Sequence, residues 1–229
     1  MATPGILHPR SFHLNGLRGI SDETLRRHVK WYEDQVDRLN SLTEQLHQLA
    51  QGLLKPDAKR LTLRQLTYRL GVEYTGIVLH EHYFANLKPG GGETEHGPAF
   101  VAAAQRQFGS YEAWKTDFIS IGLLPEVGWA ICYRDPANKG ILNCGMNRNH
   151  NRSLVGYTPI LVMDMWDHAF ELDYPLSQRA LYIDAFFANV DWQAVDQRLL
   201  AAVPVQKNSG RVRQKPSPTT VVGVNHAHN

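Results

Sequence analysis

Residues 158–174 read Thr-Pro-Ile-Leu-Val-Met-Asp-Met-Trp-Asp-His-Ala-Phe-Glu-Leu-Asp-Tyr, and they combine a strand end with two side chains able to bind a metal. The apolar run from Thr158 to Met163 is typical of a buried strand. Asp164 comes where that strand ends, and His168 lies one turn further along if a helix begins there. The stretch therefore predicts a carboxylate and an imidazole directed at one point, although an Asp after a strand also commonly caps the following turn.

Two further histidines lie inside apolar sequence. His28 falls on the inward stripe of the first predicted helix, and His80 ends the apolar run Gly76–Leu79. A buried histidine needs a hydrogen-bond partner or a metal, and taken singly each is more often a structural core residue. Together with His168 and Asp164 they form a set of three nitrogens and one carboxylate, which suits iron or manganese.

The pattern along the chain predicts helices, then a small sheet, then a helix. Ser21 followed by two acids starts a long helix that ends near Gly52 and Pro56, because a hydroxyl and negative charges suit a helix N-terminus. The other predicted helices cover Leu61–Leu87, Ala99–Phe108, Tyr111–Leu123 and Ser177–Ala202, and the predicted strands cover Gly128–Tyr133, Gly140–Asn143 and Thr158–Met163.

This order predicts an α+β fold: a long antiparallel helical hairpin at the N-terminus, followed by an α/β domain with a small, three-stranded antiparallel sheet. The predicted units are an irregular segment over residues 1–20, the hairpin over 21–90, an α+β metal-binding domain over 91–202 and a flexible basic tail over 203–229.

Composition excludes several classes of function. The formal net charge is +2, and the tail alone carries Lys207, Arg211, Arg213 and Lys215 without an acid, so 20 basic residues remain against 22 acidic ones elsewhere. We therefore expect no nucleic-acid partner. The chain contains no apolar run long enough to cross a membrane, its N-terminus lacks a signal peptide pattern, and its two cysteines do not form a disulfide framework, so we expect a cytoplasmic protein.

The stretch from Asp164 to Tyr174 resembles the D-x-W-E-H-A-x signature of the iron/manganese superoxide dismutases. The resemblance extends over about Phe12 to Ala202. The residues leading to His28 look like the family's first-ligand helix, and His80 lies in a segment similar to N-H-x-F-x-W-x-x-L-x-P. Further family landmarks follow in the right order: Phe108-Gly-Ser110, Gly128-Trp129 and Asn189-Val-Asp-Trp192.

The resemblance implies that His80, Asp164 and His168 are equatorial ligands and His28 an axial ligand of one iron or manganese ion per subunit. It implies a superoxide dismutase, in which the metal alternates between its 3+ and 2+ states while superoxide becomes dioxygen and peroxide. It also implies a homodimer that acts on superoxide. The protein then has to set the metal's potential and deliver protons.

Several positions around the implied ligands depart from the family pattern. The family usually has a Tyr about eight residues after the first histidine, and here Gln35 or Val36 falls at that position, with Tyr32 one turn after His28 as a substitute. The acid before the last ligand, which in the family reaches across the dimer, is Asp167 rather than Glu.

Gly76 bears on the choice of metal. Family members with Gly at this place usually supply an outer-sphere hydrogen bond from a later loop, for which His150 is the candidate and Asn149 or Asn151 are alternatives. Iron-dependent members with His in that role tend to have the sequence D-M-W-E-H-A-F. Residues 164–170 resemble it, with Asp167 in place of Glu, so we favour iron over manganese.

Three functions fit these features. The first is an active superoxide dismutase, to which Tyr32, Gln35, His150 and Asp167 would contribute around the metal. The second is a non-catalytic metal-binding or structural relative, which the altered surroundings of the ligands suggest. The third is a different redox or oxygen-activating enzyme on the same scaffold.

Overall fold

The computed structural model of the chain describes residues 5–52, 56–92, 97–147 and 154–201. The predicted α+β fold is confirmed, with a helical N-terminal region followed by a region with a three-stranded antiparallel sheet. The elements, in chain order, are α1 (Asp22–Ala50), α2 (Pro56–Phe84), α3 (Pro98–Phe108), α4 (Tyr111–Gly122), β1 (Trp129–Arg134), β2 (Ile141–Met146), β3 (Thr158–Asp164), α5 (Arg179–Phe187) and α6 (Trp192–Leu200). Short 3₁₀ turns at Asp167–Ala169 and Leu176–Gln178 follow β3.

Helices α1 and α2 form an antiparallel pair. The Ser21 hydroxyl caps α1 by accepting a hydrogen bond from the backbone N–H three residues later, at 3.1 Å. Tyr32 donates to Glu81 at 3.0 Å, and Arg38 pairs with Glu73 at 3.2 Å. Residues later in α1 therefore contact residues earlier in α2, which shows that the two helices run in opposite directions. This antiparallel arrangement brings the first half of α1, which carries His28, beside the end of α2 that carries His80.

The sheet has the strand order β2-β1-β3, and both pairings are antiparallel. Strand β1 lies in the centre and is buried along its whole length. Its first residue, Trp129, is paired with Asp164, the last residue of β3. This register places Asp164 at the edge of the core where α1 and α2 also pass, since α2 packs against β3 and α1 contacts the turn after it.

The last predicted helix, Ser177–Ala202, is not one continuous helix, and this prediction was wrong. It is a 3₁₀ turn, then α5 and α6, separated by residues 188–191. Asn189 is buried there, and its side chain accepts from the Arg18 N–H at 2.8 Å and donates to the Arg18 and Ala185 carbonyls. Leu87 also forms a β-bridge with Val190. These long-range bonds replace the local helix bonds, and a periodicity of apolar residues does not reveal them.

The bounds of two other elements differ from the predictions by three residues or more. Helix α2 begins at Pro56 instead of Leu61 and ends at Phe84 instead of Leu87, and proline is well tolerated in a first helical turn. Strand β2 continues to Met146 because it pairs with β1 along its full length. Among the described helices, none combines the length and apolar character that crossing a bilayer requires. The predicted flexible tail lies outside the described residues.

Gly128 lets a tryptophan approach the start of β1. A Cβ atom at Gly128 would lie 2.2–2.4 Å from three ring atoms of Trp166, which is far inside van der Waals contact. The indole ring is rigid and part of the turn that carries His168. The absence of a side chain at Gly128 therefore allows the chain after β3 to close over the sheet.

We expect Gly128→Ala to destabilise the metal-free protein by about 1–3 kcal/mol, because the added methyl displaces Trp166. Gly71→Ala is the matched control. Gly71 is an exposed residue of α2 with nothing within 4 Å of an added Cβ, so its replacement should stabilise the helix by about 0.5–1 kcal/mol. Urea unfolding at one chain concentration measures both changes. Equal stability of Gly128→Ala and the unaltered chain would contradict the overpacking argument.

Candidate metal centre

Four side chains predicted from the sequence meet at one point. The Oδ2 atom of Asp164 lies 3.1 Å from His28 Nε2, 3.2 Å from His168 Nε2 and 3.4 Å from His80 Nε2. The four candidate ligand atoms all lie within 4.8 Å of one another. Asp164, His28 and His80 are buried, while the His168 side chain keeps 22% of its exposure. The fold thus gathers α1, α2 and the end of β3 around one cluster.

Asp164 is oriented by its own turn. Its Oδ1 atom accepts a hydrogen bond from the Trp166 backbone N–H at 2.8 Å, which leaves Oδ2 directed at the three imidazoles. The carboxylate therefore performs the turn-capping role that was the alternative interpretation, while its other oxygen faces the cluster. Its backbone carbonyl accepts from the Tyr182 hydroxyl at 2.7 Å, and this bond anchors the end of β3 to α5.

His80 has a defined tautomer. Its Nδ1 atom lies 2.7 Å from the Gly76 carbonyl oxygen, which can only accept, so Nδ1 carries the proton. Burial lowers the pKa of His80 to about 3, with further lowering from the neighbouring His28. His80 is thus neutral at pH 7, and its Nε2 atom presents a lone pair to the cluster.

The pKa values of the other three candidate ligands are shifted by burial and by their charged neighbours. Burial alone would raise the pKa of Asp164, but the adjacent His168 and His28 outweigh it and lower that pKa. Burial also lowers the pKa of His28, against the opposing pull of Asp164. At His168 burial disfavours the charged form, yet Asp164 prevails and raises the pKa. The carboxylate is therefore ionised, and a proton is held most readily at His168, the most exposed of the four.

The charge distribution of the cluster favours a cation. The His80 Nε2 lone pair lies 3.4 Å from the ionised Asp164 oxygen and 3.4 Å from His168 Nε2. The His80 lone pair and the Asp164 oxygen are both acceptors, and they repel each other at this distance unless a positive charge lies between or beside them. A set of three imidazole nitrogens and one carboxylate is a donor set for iron or manganese. His28 adds a buried Nδ1 that has no hydrogen-bond partner among the described residues.

A cavity of about 330 Å³ reaches the cluster. Its walls include the donors His80 and His168. The remaining lining residues come from both helices, from the sheet and from the turn after β3: Trp31, Gln35, Tyr68, Arg69, Val72, Glu73, Thr75, Gly76, Trp129, Met146, Asn147 and Trp166. The cavity is large enough for a small anion with water, and Arg69 adds a positive charge to its wall.

The structure separates the candidate residues of α1. Gln35 lines the cavity, whereas Val36 is completely buried in the core. Tyr32 is buried as well, and its hydroxyl donates to Glu81 and accepts from the Arg10 backbone N–H at 2.9 Å. Tyr32 is not among the residues that line the cavity. Of these three positions, Gln35 alone reaches the open side of the cluster.

The remaining candidates lie elsewhere. Asp167 is exposed beside His168, and its backbone carbonyl accepts from the Phe170 and Glu171 N–H groups in the 3₁₀ turn. His150, with its alternatives Asn149 and Asn151, lies outside the described residues.

One neighbour of the cluster was missed by the sequence reasoning. The Trp31 indole stacks on His168, with ring centroids 5.2 Å apart and planes 19° from parallel. Its spacing of three residues after His28 was the available signal, because residues three apart share a helix face.

Comparisons with known proteins agree with this site. The family model for the iron/manganese superoxide dismutases, C-terminal domain, matches residues 96–198. The chain is 33% identical over 190 residues to a superoxide dismutase [Fe] of Cupriavidus metallidurans, covering 82% of this chain and 92% of the relative. It is 31% identical over 189 residues to a superoxide dismutase [Fe] of Aquifex aeolicus, covering 82% and 87%. A superoxide dismutase [Mn] of Haloarcula marismortui is 36% identical over 117 residues, covering 51% and 56%.

The two long helices followed by a three-stranded antiparallel sheet are consistent with the fold of a known class of redox enzymes. The chain belongs to the iron/manganese superoxide dismutase family, as the resemblance in the sequence had indicated.

The buried neutral histidines predict acid sensitivity of the metal-free protein. The pKa values of His28 and His80 are lowered on folding, so below about pH 6.5 the unfolded chain binds protons that the folded chain does not. Stability should therefore fall as the pH decreases from about 6.5, by up to about 1.4 kcal/mol per pH unit for each histidine. Urea unfolding at pH 7, 6, 5 and 4 measures this, and a stability that stays constant over that range would contradict the assignment of neutral, buried imidazoles.

Proposed function

We propose that the protein is a superoxide dismutase, converting two superoxide ions and two protons into dioxygen and hydrogen peroxide. The observation that carries this proposal is the cluster of three imidazoles around one ionised carboxylate, beside a cavity sized for a small anion. The names of the relatives support it, since relatives that cover more than four fifths of the chain are named superoxide dismutases.

In this proposal His28, His80, Asp164 and His168 hold one iron or manganese ion per subunit. When bound, the ion supplies the electron transfer by alternating between its 3+ and 2+ states. The chain's own contributions are separate from that chemistry. Gly76 fixes the His80 tautomer through its carbonyl, and the Trp166 backbone N–H fixes the rotation of the Asp164 carboxylate. Trp31 and Trp166 form part of the cavity wall.

We favour iron over manganese. The sequence around Asp164 and the names of two broadly covered relatives support iron. Relatives named for manganese alone match about half of the chain, whereas one named for both metals covers 86% of it. The comparison that separates the metals is activity after reconstitution of the same metal-free protein with each ion. Higher activity with manganese would reverse this preference without changing the ligand set.

Metal content and dismutation test the proposal together. We expect the purified chain to bind iron or manganese and to consume superoxide. His168→Ala should lower metal content on the order of tenfold or more, because it removes one of four donors. His47→Ala, near the far end of α1, is the matched control and should retain both metal and activity. Elemental analysis and a superoxide-consumption assay are the measurements.

Two outcomes would contradict parts of this proposal. Metal-loaded protein that does not consume superoxide would favour the alternative of a non-catalytic metal-binding relative. Unchanged metal content in His168→Ala would refute the assignment of His168 as a ligand. The two results are independent, because the first concerns chemistry and the second concerns binding.

The same proposal includes a homodimer, a cytoplasmic location and two structural units, residues 21–90 and 91–202. The exposed Asp167 carboxylate beside the incompletely covered His168 supports a second copy at this face. The two cysteines are free thiols, as in proteins of a reducing compartment.

We expect the protein to sediment as a dimer. Asp167→Ala should raise the concentration at which the dimer dissociates on the order of tenfold or more, because it removes a charge proposed to pair across the interface. Asp37→Ala, an exposed acid on α1, should leave that concentration unchanged. Sedimentation velocity over a range of concentrations measures this, and a monomer at every concentration would rule out the dimer.

A further inference from the structure

Gln35 of α1 and Gly76 of α2 face each other in the wall of the cavity. A Cβ atom built on Gly76 would lie 2.6 Å from Gln35 Nε2, 3.1 Å from Oε1 and 3.2 Å from Cδ. All three distances are shorter than an ordinary contact, so the whole terminal amide of Gln35 occupies the space that a side chain on α2 would take. Gly76 has an ordinary helical backbone, so its role here is to leave space.

The Gln35 amide is not satisfied by the protein. Its Oε1 atom is buried and has no hydrogen-bond partner within the described part of the chain. A buried polar group without a partner destabilises the protein, so a partner is expected. Gln35 lines the same cavity as His80 and His168. Its Oε1 atom can only accept, so its partner there is a donor such as water, while the Nε2 N–H groups of the same amide are the donors available to a small anion.

Gly76 also connects this amide to the cluster. Its carbonyl oxygen accepts the hydrogen bond from His80 Nδ1, which determines the lone pair on His80 Nε2. One residue thus makes room for the Gln35 amide and orients a metal donor. Tyr32 cannot share this role because its hydroxyl is engaged by Glu81 and by the Arg10 backbone.

We infer that the Gln35 amide, through its Nε2 N–H groups, donates a hydrogen bond to the small oxygen ligand, superoxide or water, that enters the cavity beside the proposed metal site, with Gly76 as the residue that makes room for it. This inference rests on the proposed metal site and deepens the proposed function. It differs from the expectation of a donor at His150: the amide comes from α1 and uses the space left by Gly76.

Azide is a suitable probe, because it is a small anion whose binding to the metal-loaded protein can be followed by visible absorption without any turnover. Gln35→Ala should weaken azide binding about tenfold or more, since it removes a hydrogen bond to an anion. It should also shift the reduction midpoint of the bound metal and the pH dependence of its spectrum. Metal content should remain that of the unaltered chain, because Gln35 is not a ligand.

Three companion variants make the test specific. Gly76→Ala keeps Gln35 but displaces its amide, and should weaken azide binding in the same direction by a smaller factor. Gln35→Ala/Gly76→Gln returns an amide to the same space from the other helix, and should recover most of the affinity and the midpoint. Gln45→Ala removes an exposed glutamine of α1 that donates to Ser41, and should change neither.

The outcomes are distinguishable. The inference is overturned if Gln35→Ala matches Gln45→Ala in azide affinity, midpoint and pH profile, or if His150→Ala produces the shifts and Gln35→Ala does not. Circular dichroism of each variant shows that the fold is kept. If the unaltered, metal-loaded chain binds azide but does not consume superoxide, the proposed function fails, while the azide affinities still decide the role of Gln35. A chain that binds neither iron nor manganese overturns both.

Discussion

The Asp164 carboxylate is completely buried, and its Oδ2 atom faces three imidazole nitrogens at 3.1–3.4 Å. Removing an ionised carboxylate from water costs several kcal/mol unless it is compensated. Partial compensation comes from the Trp166 N–H and from the proton most readily held at His168. His80 supplies a lone pair instead of a proton, so a cation completes the balance. The packing of both helices and the sheet holds the negatively charged Asp164 carboxylate in this position.

The surrounding packing depends on small residues at close approaches. Gly128 allows Trp166 to lie against β1, and Gly76 leaves room for the Gln35 amide. Each of these glycines makes space for a side chain that lines the cavity. Trp166 beside Gly128 orients Asp164 through its backbone N–H, and Gly76 orients His80 through its own carbonyl. The same positions therefore determine both the packing and the orientation of the candidate ligands. A larger side chain at Gly128 or Gly76 would also disturb the metal site.

Much of the fold follows from local sequence. The Ser21 cap and its two following acids predict the start of α1, and Asp164 stands where an apolar strand ends, as the structure also shows. The break between α5 and α6 could not be predicted in this way. Asn189 interrupts the helix because its side chain bonds to Arg18, which lies 171 residues away in the chain. Local periodicity carries no information about such a bond.

The sequence alone determined the residue types of the metal site and the short-range geometry of Asp164 and His168, which depends on one turn of the chain. It also determined membership of the family, because the signature is contiguous. Only the tertiary structure brought His28 to Asp164 across 136 residues and chose Gln35 over Val36 for the cavity wall. The physical reason is that neighbouring residues on a helix point about 100° apart. Which of them faces the site is decided by where α2 and the sheet pack against α1.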